Sequence, residues 1–477
     1  MENNNYLYCT SDIIKSSVDT NEYKFVVLKN RLKMLLVSDS DADQSGCSLC
    51  VNVGSFDEPF GVNGLAHFLE HLLFMGTEKY PDENDYMAYL NMHNGSSNAY
   101  TSNETTVFYF DVSNKYFEGA LDRFAHFFIS SLFKENSVER EKSAVNSEFL
   151  GNVSNDDSRR NRLLQLCYQN HLEESRFSIG NNETLKFEDI RKRVIDFYKN
   201  TYFGDRMVAV VYCNKSMDDI EKLIEVFNNV PCSSSAANTE VMINSPCKLY
   251  NEYIENVMKS NWYNSYSNYT LDSKVFKQEC LNKLLRLKSI RDVKRLDIYI
   301  KTLHPYISKI AFDVLIKDLL KEDKGLIKLL KDQGLGYDVN VSISSVKYYG
   351  LLNISVFLTS RGFFNPDLVV EEIEKYFLNY KILSSKLKGL VDQNEINFEF
   401  NEQEDVIDVL EVIADNLSKI PVKNILNFEH LQTLPKEEVI CCLLDLIKNR
   451  SEWITIFSSS EFECKEKDEI FGIEYEM

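Results

Sequence analysis

Positive charge is in short supply in this sequence: 53 Lys and Arg stand against 73 Asp and Glu, a formal net charge of −20. That balance argues against sequence-independent nucleic-acid binding, which needs a basic surface, and against docking on anionic membrane. Long apolar runs are missing as well. None approaches the ~20 residues that span a bilayer, and the start, "MENNNYLYCTSDIIKSS", has neither the basic nor the apolar region of a secretory signal. A cytoplasmic protein that binds neither nucleic acid nor membrane is expected. A disulfide framework is also lacking, since 11 cysteines scattered over 477 residues read as reduced thiols. Cys47 and Cys50 sit in "CSLCVNVGS", which reads as a strand; they point to opposite faces and cannot share a metal. Cys441 and Cys442 lie in an apolar helical pattern and read as core.

What is present is the composition of a folded chain, 44% apolar and 26% charged, too long for one ordinary core. Residues 25–38 read as two strands about a turn, and 48–56, 97–101, 106–113 and 206–214 as further strands. Helical patterns cover 64–75, 82–93, 116–130, 137–153 and 217–228. Residues 230–247, with two prolines, a serine run and no periodicity, are the linker candidate. Beyond it 274–288, 306–333, 366–380, 403–419 and 435–449 read as helices, 336–360 as an alternating hairpin and 452–460 as a strand. The expectation is two similar-sized α+β domains at 1–230 and 248–463, a linker at 231–247 and a charged tail at 464–477. No residue-level repeat relates the two domains.

The chain has only seven histidines, yet "GLAHFLEHLLFMGT" (64–77) places two of them four apart. On a helix, His67 and His71 share a face and can reach one tetrahedral ion, with Glu70 beside them. This is the H-x-x-E-H pattern, in which the glutamate is a general base. The competing reading is a pair of core histidines, but unpartnered imidazoles are costly to bury. A hydrolytic zinc site wants a third protein ligand. The helix "SVEREKSAVNSEF" (137–149) offers Glu141 and Glu148, which share a face, although an acidic stripe on a helix is commonly just solvated.

The stretch from 61 to about 185 resembles the insulinase (pitrilysin, M16) family of zinc metallopeptidases. The matching segments are "GLAHFLEHLLFMGTEKYPDENDY", "NGSSNAYTSNETTVFYFDVS", "GALDRFAHFF" and "EREKSAVNSEF", with weaker likeness back to 25 and on through 214. The likeness is to the N-terminal half of the family's two-half members. It implies mostly antiparallel sheets packed with helices, and one zinc ion per chain held by His67, His71 and Glu148, the last 77 positions after His71. It further implies that Glu141 supports the metal site and that Glu70 assists attack by metal-activated water on extended or unfolded peptides. "GSSNAYTS" resembles the family's substrate-binding edge strand, which gives Asn98, Ala99 and Tyr100 a substrate-binding part.

Two departures bear on function. The glycines that part of the family uses to hold a substrate's N-terminus are missing around 304–330, so no residue there is assigned that part. His93, His126 and His304 have no partner at ligand spacing and read as structural. The chain matches one half of the long members, which implies a homodimer, or a heterodimer with another M16-like chain. The alternative is a non-catalytic, substrate-presenting subunit of such a complex.

Overall fold

The run "MVAVVYC" has no polar alternation, which is what a strand covered on both faces requires. In the computed structural model, which describes residues 6–233, 274–303, 309–346, 349–400, 406–417, 419–428 and 437–477, all seven of its residues are buried. It lies inside a sheet of seven strands: β1 (Tyr8–Thr10), β2 (Glu22–Val27), β3 (Lys33–Ser38), β4 (Gln44–Val51), β5 (Ser96–Thr101), β6 (Thr106–Ser113) and β7 (Met207–Cys213). Their order is β1-β2-β3-β7-β4-β6-β5, and every neighbour is antiparallel except β3 and β7.

One face of this sheet packs against α1 (Leu65–Leu73), α2 (Asp85–Met92), α3 (Phe117–Ile129) and the apolar stripe of α4 (Glu135–Val153). The other face buries Leu410, Ile413, Ala414 and Leu417 of the helix Val406–Leu417. That helix is pinned where Ser48 Oγ donates to the Leu410 carbonyl at 2.7 Å. Cys47 joins the first core and Cys50 the second, so the two thiols do point apart.

A second seven-stranded sheet has the order β10-β11-β9-β12-β8-β14-β13. Its strands are β8 (Leu284–Lys288), β9 (Arg295–Thr302), β10 (Gly336–Val346), β11 (Tyr349–Leu358), β12 (Ile454–Ser459), β13 (Glu466–Lys467) and β14 (Glu474–Glu476). Only β8 and β12 run parallel. The two sheets share a plan. In each, a hairpin forms one edge (β5–β6, β10–β11), and a late strand (β7, β12) slots between one parallel neighbour (β3, β8) and one antiparallel neighbour (β4, β9). The duplication that no residue pattern betrayed is present in the topology. The protein is α+β, two mostly antiparallel sheets packed with helices.

Each unit takes in a piece of the other's stretch of sequence. The first comprises Met1–Phe149, Phe177–Glu252 and Asn397–Glu429; the second, Leu150–Arg176, Tyr253–Ile396 and His430–Met477. The helix Asp156–Cys167 therefore belongs to the second unit. Its buried side mixes Arg159, Arg160 and Arg162 with Leu163, Leu164 and Cys167, which breaks the apolar periodicity: Arg162 pairs with Asp468 at 2.9 Å and Arg160 with Asp297 at 3.6 Å.

Other expectations need correction. Residues 284–288 form β8 rather than part of a helix over 274–288, because pairing with β12 and β14 satisfies that backbone. The expected helix 306–333 is two, Lys309–Leu319 and Leu326–Asp332, interrupted at the polar, glycine-containing "KEDKG". The expected tail at 464–477 supplies β13 and β14, with Asp468 buried under Arg162. Cys442 is buried but Cys441 is exposed, since adjacent helical residues point about 100° apart. Residues 234–247 of the linker candidate, and His304, lie outside the described residues. Among the described residues no helix is long and apolar enough to cross a membrane.

Candidate metal centre

Helix α1 begins where only glycine turns the chain comfortably. Its N-cap, Gly64, has φ 85°, and the buried Glu58 carboxylate accepts from the Gly64 and Ala66 N–H groups at 2.9 Å each. Negative charge is favoured at that end of a helix. The helix then buries Leu65, Phe68, Leu69 and Leu72, which fixes its rotation. His67 and His71 emerge together, ring centroids 4.8 Å apart. On α4, burial of Val138, Val145 and Phe149 leaves Glu141 and Glu148 turned to the histidines.

Three ligand atoms converge there. Glu148 Oε2 lies 3.3 Å from His67 Nε2 and 3.6 Å from His71 Nε2, and the set falls within 4.8 Å. A tetrahedral ion with bonds of about 2.0–2.2 Å holds its ligands about 3.3–3.6 Å apart. The outward ring nitrogens are already engaged. His67 Nδ1 donates to the Ile179 carbonyl at 2.7 Å, and His71 Nδ1 to Glu141 Oε2 at 3.2 Å. Those bonds select the tautomer that presents each Nε2 lone pair to a cation. Two imidazoles and one carboxylate suit a divalent ion of the zinc class.

The histidines and the carboxylate also shift one another's protonation. Hydrogen bonds from His67 and His71 hold the Glu148 carboxyl far below the usual carboxylate range. Burial opposes charge on His71, but its hydrogen bonds to Glu141 and Glu148 outweigh that and push its pKa up to about 9. Cation binding at a site of this kind competes with protons.

Glu70 sits deeper, 7% exposed. Burial pushes its pKa up, and a hydrogen bond from the Thr101 hydroxyl at 2.6 Å partly offsets this. A carboxyl tuned upward inside an apolar wall suits a group that must both take and return a proton.

The structure puts Thr101 at the end of β5, an edge strand that among the described residues pairs only with β6. On the same strand Asn98 is exposed, with its side-chain oxygen on the Ala99 N–H at 2.9 Å. Ala99 and Tyr100 are half-buried against opposite cores. His93 stacks on Tyr116 at 3.5 Å, and His126 Nδ1 donates to the Asp122 carbonyl one turn back. Neither joins the cluster of ligand atoms.

The sequence reading missed Thr101, Glu58 and the Ile179 carbonyl. Thr101 was legible inside "GSSNAYTS" and Glu58 just before the matched stretch, but the third is a backbone atom with no side-chain signature. We expect Glu141→Gln to weaken metal binding about 10–100-fold, the usual cost of losing a ligand's hydrogen-bond partner. Chelator-competition titration checks it, and unchanged affinity would remove Glu141 from the centre.

A family model described as Insulinase (Peptidase family M16) matches residues 33–178, the stretch holding all three ligand candidates. The chain is also 31% identical over 482 residues to insulin-degrading enzyme of Bos taurus, an alignment covering 98% of this chain. The chain belongs to the insulinase family. It spans about half the length of the curated relatives it matches, 44% in the Bos taurus case. The crystal structure of pitrilysin shares this chain's fold at a TM-score of 0.85 and 24% identity, over 99% of this chain and 48% of that one. A protease from Helicobacter pylori does so at 0.65 and 17% identity, over 92% of this chain and 99% of that one. This fold thus occurs both in a chain of similar length and in one about twice as long.

Proposed function

We propose that this chain is a zinc-dependent metalloendopeptidase that cleaves extended or unfolded peptides. The supporting observation is the convergence of His67 Nε2, His71 Nε2 and Glu148 Oε2 beside a buried Glu70. A bound zinc ion supplies Lewis acidity, making water nucleophilic near neutral pH and polarising the scissile carbonyl. His67, His71 and Glu148 hold the ion, while Glu141 and the Ile179 carbonyl fix the imidazoles. Glu70 takes the proton of the attacking water and returns it to the leaving amine. The edge of β5 that no described strand covers adds the peptide as one more strand, with Asn98, Ala99 and Tyr100 supplying main-chain bonds and the Asn98 side chain a hydrogen bond near the cleaved bond.

A second M16-like chain covering the centre is part of the proposal, as a homodimer or a heterodimer. The 47% exposure of the Glu148 side chain supports it, because an uncovered site gains less from its electrostatics. A cytoplasmic location goes with it, supported by the lack of a disulfide among the described cysteines.

The test combines native mass with metal analysis of the purified protein and cleavage of a quenched fluorescent peptide with and without chelator. Zinc, a two-chain mass and chelator-sensitive cleavage are expected. Zinc without cleavage, alone or with a candidate partner chain, turns the reading to a non-catalytic subunit, and a fully active monomer removes the two-chain part.

A further inference from the structure

We propose that Thr101 is a positioning residue that holds Glu70 in its reactive orientation and ties it to the strand that docks the peptide; this rests on Glu70 being the base. The Thr101 hydroxyl is the side-chain donor to Glu70, at 2.6 Å from Oε2, in the range of a charge-assisted bond. The other hydroxyl in reach, on Thr106, is 3.4 Å from Thr101 Oγ1 and donates its own proton to the Val53 carbonyl at 2.9 Å. The Thr101 proton therefore has two acceptors, and the nearer, the Glu70 carboxyl oxygen, wins.

Two consequences follow from the chemistry of a carboxylate. With Oε2 occupied, Oε1 is left to exchange the proton. The carboxylate plane is also fixed, since a buried glutamate otherwise has several rotamers open to it.

The anchor itself is rigid. Thr101 faces Thr106 in the β5–β6 ladder, and the turn beyond it is closed by Ser102 N–H on the Thr105 carbonyl at 2.8 Å. Ser55 and Phe56 N–H groups hold the Ser102 and Asn103 carbonyls at 3.1 and 2.9 Å. A peptide added to β5 is thereby registered on the same strand that orients the base. Placing reacting groups in one frame is where much of an enzyme's entropic advantage arises.

Thr101→Val keeps the shape and the strand preference but removes the donor, whereas Thr101→Ser restores the donor. In the full zinc-loaded chain, Thr101→Val should lower kcat on the order of 10–100-fold, with KM changed less than about twofold and Thr101→Ser within about threefold of the parent. Zinc content should not change. Crystal structures supply a readout that does not need turnover: Glu70 in several rotamers, or swung off, in Thr101→Val, and in one rotamer in Thr101→Ser. A single unchanged Glu70 rotamer in Thr101→Val overturns the proposal, as does an equal loss of kcat in both variants. If the parent chain cleaves no peptide, the peptidase reading fails by itself, and the Glu70 rotamers still decide whether Thr101 positions it.

Discussion

Glu70→Gln is expected to leave the metal in place and to remove peptide hydrolysis. Glutamine has the same shape, and its amide oxygen can still accept from Thr101 Oγ1, which now lies 2.6 Å from Glu70 Oε2. Burial at 7% exposure makes the neutral side chain no harder to accommodate than the carboxylate. The three ligand atoms are untouched, so metal stoichiometry should match the parent. What disappears is basicity, because an amide cannot take the proton of the attacking water. A positioned base contributes about 10²–10⁴-fold to rate, so kcat should fall by that order. Metal analysis by mass spectrometry and a continuous fluorescent-peptide assay read both halves of the expectation. Parent-like turnover would strip Glu70 of its role, and loss of metal would make it a structural support.

The second large effect is expected from Gly64→Ala, a change of one methyl group outside the ligand set. Gly64 has φ 85°, and a Cβ there would run into the backbone of Gly180, itself at φ 88°. Forcing an alanine into the left-handed region costs about 1–2 kcal/mol, and overfilling a packed contact about 1–3 kcal/mol more. Together they take a large share of the few kcal/mol that hold a domain folded. The displacement also has a direction. It pushes away the segment whose Ile179 carbonyl accepts from His67 Nδ1 at 2.7 Å. Metal affinity should therefore fall along with thermal stability, and added zinc should recover part of the lost Tm by mass action. Thermal unfolding with and without zinc measures this. A Tm within a degree or two of the parent would show that the chain relaxes around the added methyl, and that the glycine contact does not set the position of His67.

Several parts of the fold were legible because they are local. The i, i+4 spacing of His67 and His71 survives any tertiary arrangement that keeps α1 helical. The opposite orientation of Cys47 and Cys50 follows from strand pleating alone. The hairpin β10–β11 announced itself by alternation over 336–360 and is paired along its length. Failures cluster where burial is not apolar or where pairing is remote. The helix Asp156–Cys167 buries Arg159, Arg160 and Arg162 beside Leu163, Leu164 and Cys167, and a hydrophobic-periodicity reading assigns those arginines to solvent. Strand β8 carries a leucine pattern that fits a helix until β12, some 170 residues later, supplies its hydrogen-bond partner.

The sequence by itself determined that two imidazoles and a carboxylate would share one helical face, because helical period is a property of consecutive residues. Only the tertiary structure decided what those groups do. It brought Glu148 to both Nε2 atoms, gave Glu141 to His71 and the Ile179 carbonyl to His67, and put the Thr101 hydroxyl on Glu70. It also revealed two sheets of one plan, each completed by a helix from the other stretch of sequence. Contacts between segments far apart in the chain are set by how whole faces pack, and a linear pattern of residue types carries no record of which faces meet.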